Sequence, residues 1–420
     1  MHKLHTLTAA FALACAALIA HAQVAVRAQT LHTAAGAPIN DGVVLVDASG
    51  IIRAVGPFAG TLIPGGYELI EVPVVTPGLV DVRATAGLTG PFNVDHDQDV
   101  LETSAPIQPE LRASDAYNPR DALVAYLRAM GVTTIHTGHA PGELVSGTTT
   151  IVKTRGNTID DAAIVRDFAL TATLSPDAHR SGGNPGTRGK AYSMLRAELL
   201  AAQEHADKVD AASDDDEADP PSRDLRKEAL AKALAGEIPF IVTANRAQDI
   251  ASALRLADEF GLNLWLDMAA EAHVMLDEIR EANVPVLLHP TQYRAWGESA
   301  NLSWATAKTL ADAGVPFAIQ SGYEAYVPKV RVVLFEAAVA AGPGGLGFDR
   351  ALRSITINAA RILGIDDTVG SLEVGKQGDL ALYSGDPFEY TTTCLGTVID
   401  GERFAGEADY DIGYPAPASR

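Results

Sequence analysis

The stretch IEVPVVTPGLVDVRATAGL, Ile70–Leu88, marks the point where the pattern of the chain changes. Before it lie short runs of alternating polar and apolar residues, VAVRAQTLHT from Val24 and DGVVLVDASGIIRAVGP from Asp41, which predict strands joined by tight turns. After it, apolar runs alternate with helical patterns such as DALVAYLRAMG from Asp121 and AQDIASALRLADEFG from Ala247. Strands that alternate with helices of this length predict βα units and a parallel sheet.

The number of these βα repeats predicts the fold class. Residues 76–364 contain enough of them for a closed (β/α)8 barrel of the TIM type, in which the carboxyl ends of the strands carry the chemistry. Short strands return after this region, in GSLEVGKQGDLALYSGDP and LGTVIDGERF. We therefore expect an α/β protein in which residues 23–75 and 365–405 together form a small β-sandwich domain, followed by a loosely ordered tail at 406–420.

One segment inside the barrel region has a different composition. Residues 208–223 combine many charged side chains with Pro220 and Pro221 and contain almost no large apolar residue. A segment of this kind buries too little apolar surface to hold a fixed structure. The composition predicts a solvated or disordered insertion, and an acidic docking surface is the alternative interpretation.

The first residues have the pattern of a secretory signal. A basic start precedes the apolar run LTAAFALACAALIA, and alanines flank His21 where a signal peptidase would cut. We therefore expect residues 1–22 to be a signal peptide and the mature chain to be secreted, into the periplasm. Lipidation at Cys15 is the alternative. Without Cys15 the mature chain keeps only Cys394, so no disulfide can form within it.

The charge balance excludes some classes of partner. The chain has 32 lysines and arginines against 53 aspartates and glutamates, a formal net charge of −21 at pH 7. Because nucleic acids and anionic membrane surfaces attract basic proteins, neither is expected as a partner. The apolar run near the amino terminus is also too short to span a bilayer comfortably, so no membrane span is predicted.

Five phrases, in order along the chain, carry a resemblance to a known family: DGVVLVDASGIIRAVGP, VVTPGLVD, GVTTIHTG, NAARILGIDDTVGSLEVGKQGDLALYSGDP and TVIDGE. Over residues 24–404 they resemble the amidohydrolase superfamily, in its imidazolonepropionase-like and dipeptidase-like branch. The resemblance implies a metallohydrolase barrel flanked by a β-sandwich, which hydrolyses C–N bonds with a metal-activated water. The family norm is zinc or another divalent metal, held by imidazoles and carboxylates at strand ends.

The resemblance also implies where those ligands would lie, and this chain has other residues there. The His-x-His after the first barrel strand corresponds to Arg83 and Thr85. The later ligands correspond to Thr243 of TANRAQDI, Met268 of WLDMAAEA and Gly322 of QSGY. A guanidinium repels a dication, threonine is a weak neutral ligand, methionine is soft and glycine has no side chain. We therefore predict neither a metal nor another cofactor.

Three histidines near predicted strand ends are the remaining candidates for catalysis. His136 and His139 lie three residues apart in TIHTGHAPGELVSG, and His289 ends the run VLLHP. Imidazoles in such places are suited to metal binding or proton transfer, and equally to hydrogen bonds with the loop backbone.

Candidates for substrate binding lie in two other phrases. Lys153 and Arg155 in TIVKTRG are suited to an acidic group, although the alternation around Lys153 is also typical of a surface-facing strand lysine. Tyr323 would line the barrel mouth with aromatic surface. The acidic loop Asp95–Leu111 is expected to form a lid or rim.

Two hypotheses from different classes follow. The first is a pseudoenzyme that binds a small molecule in the barrel mouth or a related subunit, in a homo- or hetero-oligomer. The second is an active hydrolase of dipeptide or non-peptide C–N bonds, with a metal-free site or one rearranged around His136, His139 and His289. The discriminating observation is whether these histidines converge at the barrel mouth.

Overall fold

The structure is a computed structural model, and it describes residues 23–90, 98–180, 183–213, 221–289, 295–323 and 333–407. The predicted signal peptide and all of the predicted tail except its first two residues lie outside these ranges. No helix in the described ranges is both long enough and apolar enough to cross a membrane.

Strands dominate both ends of the described chain, and helices are concentrated in its middle. The strands are β1 (Gln23–Leu31), β2 (Ile39–Val46), β3 (Ile52–Pro57), β4 (Tyr67–Pro77), β5 (Leu79–Ala84), β6 (Val132–Thr137), β7 (Val145–Thr148), β8 (Thr150–Lys153), β9 (Ala163–Val165), β10 (Leu170–Thr173), β11 (Phe240–Ala244), β12 (Leu264–Met268), β13 (Val286–Leu288), β14 (Phe317–Ile319), β15 (Leu380–Tyr383), β16 (Cys394–Ile399) and β17 (Glu402–Ala405). The helices are α1 (Ala113–Ala116), α2 (Ala122–Ala129), α3 (Ile159–Ala162), α4 (Arg188–Ser213), α5 (Leu225–Leu234), α6 (Ala247–Phe260), α7 (Leu276–Glu281), α8 (Thr306–Asp312), α9 (Val333–Ala341), α10 (Phe348–Ser354) and α11 (Ile357–Ile362).

The two terminal segments share one seven-stranded sheet, in the order β17-β16-β15-β4-β1-β2-β3. The junction is the antiparallel pair β4 and β15, in which Val75 lies opposite Leu382. Alternate residues of these strands point to one face and bury a common apolar cluster. The distant ends of the chain therefore meet, and the second layer of the predicted β-sandwich stays a prediction.

The middle of the chain forms a mixed α/β region with two sheets. Strands β10 to β14 run parallel in a six-stranded sheet that β7 joins at one edge, and β5 and β6 begin a four-stranded sheet with β8 and β9. The run 145–153 links the sheets, because its first half pairs with β10 and its second half with β6, both antiparallel. This part differs from the regular βα repeat that the pattern predicts, since the four-residue α3 is the only described helix between β6 and β10.

The strands of both sheets enclose a shared apolar layer. One cluster takes residues from β5, β8 and β11 to β14, and α11 packs against it: Val80, Val82, Ile151, Ile241, Trp265, Leu287, Ala318, Ala359 and Ala360. The residue after β14 is also tied to β5, since the Ser321 backbone N–H donates to Asp81 Oδ1 at 3.2 Å. Barrel closure itself stays a prediction, which these contacts support.

The predicted insertion at 208–223 is wrong at its amino-terminal end, because residues 208–213 are the last six of helix α4. Most of their side chains are exposed, and alanine, lysine and aspartate on a helix surface need no core contact. At the other end, Asp224 caps α5 by accepting from the backbone N–H of Arg226 and Lys227. Residues 214–220 of the predicted insertion lie outside the described ranges.

Candidate active site

Polar side chains collect where the parallel strands end. Asp81 and Arg83 lie on β5, Thr243 on β11 and Asp267 on β12, and Gln320 directly follows β14. All five are buried, with at most 5% of their surface exposed. Because carboxyl ends of neighbouring parallel strands meet at one edge, these residues form a single polar cluster, which we call the mouth.

Arg83 is the central cation of the mouth. Its Nη1 donates to the Ala84 carbonyl at 3.1 Å, its Nη2 donates to the His139 carbonyl, and its guanidinium carbon lies 5.1 Å from the ring centre of Tyr323. No carboxylate oxygen in the described chain lies within 4 Å of it. Carbonyl dipoles and an aromatic face therefore stabilise this buried charge.

Asp267 is the best-bonded carboxylate of the mouth. Thr243 donates to its Oδ2 at 2.5 Å, the Gln320 amide donates to Oδ1 at 2.8 Å, and the Tyr323 hydroxyl lies 2.8 Å from both oxygens. Tyr323 thus contacts the Arg83 cation with its ring and the Asp267 anion with its hydroxyl. The sequence reading missed Asp267, although an aspartate within the apolar run LWLDM is itself a signal of a buried charge.

Asp81 is a second buried carboxyl, with an incomplete set of partners. Its Oδ1 accepts the backbone N–H of Ser321 and of Arg83, while Oδ2 has no partner among the described residues. Burial raises the pKa of this carboxyl to about 7, and the hydrogen bonds from Ser321 and Arg83 oppose that shift.

The three candidate histidines have different environments. His136 is held at both ring nitrogens, 2.7 Å from the Val82 carbonyl and 2.7 Å from the Thr149 hydroxyl. His139 is buried beside Arg83, and neither of its ring nitrogens has a partner among the described residues. Burial and the charge of Arg83 lower the pKa of both, to about 3 and about 4 respectively. Both imidazoles are therefore neutral at pH 7.

His289, the third candidate histidine, lies next to Gly322. Its Nδ1 is 3.4 Å from the Gln320 carbonyl, and burial lowers its pKa to about 3. A Cβ atom at Gly322 would come within 2.5 Å of the imidazole, and the glycine has a φ of +84°. The ring of His289 thus occupies the space that a side chain at position 322 would need.

Lys153 and Arg155 do not belong to the mouth. The interpretation of Lys153 as surface-facing is wrong, because it is only 3% exposed and its Nζ is paired with Asp379, beside Asp400. Arg155 Nε donates to Asp400 at 2.6 Å. Antiparallel pairing places Lys153 opposite Thr134, away from the carboxyl end of β6, so both cations face the seven-stranded sheet.

The described part of the acidic loop lies against the mouth. The Val100 carbonyl accepts from the Ala140 backbone N–H at 2.8 Å, and Leu101 packs so closely on Gly142 that a Cβ there would lie 2.6 Å from it. Arg180 also donates to the Thr103 carbonyl at 2.8 Å. These contacts cover the turn that carries His139, although residues 95–97 of the loop lie outside the described ranges.

The residues at the five expected ligand positions do not fit a divalent metal. Arg83 places a buried cation there, and the Thr243 hydroxyl is engaged by Asp267. The space beside Gly322 is filled by His289, and Met268 and Thr85 offer only a soft thioether and a neutral hydroxyl. The described ranges contain no group of three or more His, Cys, Asp or Glu side chains placed to hold a metal ion.

Known proteins resemble this chain over different lengths. A model of the amidohydrolase family matches residues 292–405. "Probable imidazolonepropionase" of Bos taurus is 32% identical over 138 residues, which is 30% of this chain and 30% of that protein. Imidazolonepropionase of Rhizobium rhizogenes is 24% identical over 384 residues, 86% of this chain and 90% of that one. The chain thus spans less than a third of the bovine relative's length.

Solved structures share the fold over nearly the whole chain. An amidohydrolase from Thermotoga maritima MSB8 superposes with a TM-score of 0.84 at 26% identity, covering 91% of this chain and 100% of that one. An adenosine deaminase from Xanthomonas campestris with bound zinc superposes with a TM-score of 0.54 at 16% identity, a likeness of fold alone. By these matches the chain is similar to the amidohydrolase superfamily, and its sequence relatives include imidazolonepropionases.

Proposed function

We propose that this chain is a non-hydrolytic member of its superfamily, a pseudoenzyme whose barrel mouth binds a small molecule. The observation that carries the proposal is the buried guanidinium of Arg83, which the His139 carbonyl and the Tyr323 ring hold at an expected ligand position. A dication there would meet a fixed positive charge that has no carboxylate oxygen of the described residues within 4 Å. The usual metal-activated water therefore has no place to form.

The polar atoms left over in the mouth support a binding role. Asp81 Oδ2, Arg83 Nε, both His139 nitrogens, Gln320 Oε1 and Ser321 Oγ are buried and have no partner in the described chain. Buried polar groups cost free energy unless they form hydrogen bonds, so this set favours a polar occupant. The set contains donors and acceptors together, and the charges of Arg83 and Asp267 offset each other. The ligand class that fits is a small uncharged amide or ureide.

Active hydrolysis is the alternative, and the names of the imidazolonepropionase relatives favour it. A metal-free mechanism would need a base in the mouth. Asp81, with a pKa of about 7 and a free Oδ2, is the carboxyl that suits this role. The candidate histidines are less suitable, because burial lowers their pKa to about 3 to 4 and so makes them weak bases. His136 and His289 also each have a backbone partner.

Metal content and activity, measured on the same preparation, test the proposal. Protein purified without added metal should contain no stoichiometric zinc, manganese or iron, and neither zinc nor a chelator should shift its melting temperature, since metal linkage is missing. Hydrolysis of imidazolone propionate and of dipeptides should stay at background. The double variant R83H/T85H should remain inactive, because the other ligand positions are unchanged.

The zinc-containing Xanthomonas campestris deaminase serves as positive control for the metal analysis. One metal per chain would contradict the proposal outright. Turnover without metal that D81N abolishes would establish the hydrolase alternative instead. Size-exclusion chromatography with light scattering shows whether a second subunit, of this chain or a related one, belongs to the functional unit.

The proposal also covers the fold of the chain and its localisation. We propose a closed barrel over residues 76–364 and a composite β-sandwich from 23–75 and 365–405, which the shared apolar layer and the pairing of β4 with β15 support. We also propose secretion into the periplasm after cleavage near Gln23. Amino-terminal sequencing of the protein from a periplasmic extract tests the cleavage.

A further inference from the structure

A cavity of about 330 Å³ lies at the opposite end of the strands from the mouth. Its wall includes Pro316 and Phe317, at the start of β14, whereas Gln320 of the mouth follows the end of that strand. Helices α10 and α11 form the facing wall. The cavity is therefore separate from the mouth, and its volume is at the lower end of the range of about 300–1,000 Å³ typical of small-molecule sites.

Three arginines and no carboxylate are among the described residues that line this cavity, which we call the arginine cavity. Arg350 and Arg353 come from α10, and Arg361 comes from α11 together with the half-buried amide of Asn358. In a chain with a formal net charge of −21, three guanidinium groups on one wall are a local concentration of positive charge, although Asp312 and Asp366 lie beside Arg350 and Arg361. Such a concave basic surface concentrates anions.

The guanidinium groups keep donors available. Arg350 uses Nε for the Leu346 carbonyl at 2.9 Å and Nη1 for Asp312 at 2.7 Å, and its Nη2 has no partner in the described chain. Within the described chain, Arg353 donates from Nη1 alone, to the Ala34 carbonyl. The nearest carboxylate oxygen to Arg361, on Asp366, is 3.9 Å from Nε. Donors of all three arginines therefore remain free to bind a ligand.

The shape and charge together define the ligand class. A single carboxylate is satisfied by one guanidinium in a bidentate pair, whereas a phosphate offers several oxygens and nearly two charges to several arginines. The rest of the wall, Pro316, Phe317 and Ile362, is apolar and suits an organic group. We propose that the arginine cavity binds a small phosphate monoester, with its phosphate at Arg350, Arg353 and Arg361 and its organic part against Phe317.

Calorimetric titration of the full chain with phenyl phosphate, inorganic phosphate and benzoate tests this site. Phenyl phosphate should bind more tightly than inorganic phosphate, because of the apolar wall, and more tightly than benzoate, because of the second charge. R361Q should weaken phenyl phosphate binding about tenfold, as expected for one lost charge-assisted hydrogen bond. N358A should weaken it less, and added sodium chloride should weaken it throughout.

R280Q is the matched control, because Arg280 is 56% exposed against 55% for Arg361 and also has one nearby aspartate. It removes the same charge from the surface and should leave binding unchanged. Equal binding by R361Q and the wild type, or benzoate binding as tight as phenyl phosphate, would overturn the proposal. An equal loss of phenyl phosphate affinity in R280Q would also overturn the proposal, because the weaker binding would then follow from the lower positive charge of the protein and not from the cavity. Circular dichroism verifies that each variant is folded.

Discussion

At the scale of single residues, the mouth is an example of buried charge held without a direct ion pair. Arg83 is 2% exposed and bonds to carbonyls, Asp267 is saturated by neutral donors, and the Tyr323 side chain contacts both. Each group therefore has its desolvation offset by dipoles instead of by an opposite charge. Asp81 is the exception, because one of its oxygens has no partner in the described chain, and burial raises its pKa.

The raised pKa of Asp81 predicts how stability depends on pH. Because the folded-state pKa of Asp81 is about 7 against an ordinary 3.8, the folded protein binds this proton more tightly than the unfolded chain does. The contribution of Asp81 to stability is therefore fully present below pH 4 and is lost as pH rises through 7. The variant D81N keeps a side-chain oxygen that can accept the Ser321 N–H, but its amide does not titrate. It should therefore not show this loss of stability with rising pH. The free energy of unfolding of D81N minus that of the wild type should rise by about 4 kcal/mol between pH 4 and pH 8.

Urea titrations at several pH values measure this difference. D277N is the control, because Asp277 is 82% exposed in its ion pair with Arg280 and should show almost no such trend. A difference between D81N and the wild type that does not change with pH would mean that Asp81 has an ordinary pKa in the folded protein.

At the scale of secondary-structure elements, α4 shows how a helix extends beyond the surface that it buries. Its buried residues, Ala191, Leu195, Leu199 and Ala202, recur every three or four positions along one face. The remaining eleven residues, to Ser213, contribute no buried side chain. Composition therefore indicated correctly that this part is solvated, and it missed that a solvated segment can still be helical.

Deletion of residues 208–223 should consequently leave the melting temperature nearly unchanged. The removed part of α4 has no buried side chain, and shortening a long connection changes its closure entropy little. We expect a shift of less than about 2 °C in calorimetry. Deletion of 196–213 is the contrasting variant, because it removes Leu199 and Ala202 and should destabilise the protein clearly. A fall of many degrees on deletion of 208–223 would show that the segment packs against the rest of the chain.

At the scale of the whole molecule, a buried charge cluster joins the central sheets to the seven-stranded sheet. Lys153 on β8 is paired with Asp379, which directly precedes β15, and Asp400 lies 3.7 Å from the same Nζ. The Asp379 carbonyl also accepts the Gly78 backbone N–H at 2.8 Å, between β4 and β5. These contacts connect segments more than 200 residues apart, so both regions should unfold together.

K153M should therefore destabilise the whole chain and leave a single unfolding transition. It removes the cation beside Asp379 and leaves a buried carboxylate uncompensated, which costs about 3–5 kcal/mol. K153M/D379N should recover part of this loss, because the amide carries no charge and keeps an acceptor for the Asp400 N–H. K308M removes an exposed lysine of an ion pair and should change stability by less than about 1 kcal/mol. Two separate transitions in the wild type would contradict the coupling.

The sequence by itself determined the features that depend on local order or residue identity. The alternation of strands and helices predicted the α/β class, and the phrases from DGVVLVDASG to TVIDGE predicted the likeness to the superfamily. Local sequence suffices for these features, because periodicity follows from backbone geometry. The absence of a metal at the five positions stays a prediction.

Only the tertiary structure decided which side chains meet. Tyr323 is bonded to Asp267 across 56 residues, and Lys153 is paired with Asp379 across 226, so neither contact is visible in any window of the sequence. The local pattern likewise predicted that His289 lies at a strand end, but only the tertiary structure shows that its ring packs against Gly322. A buried charge is defined by the partners that surround it, and those partners come together only when distant strands have paired.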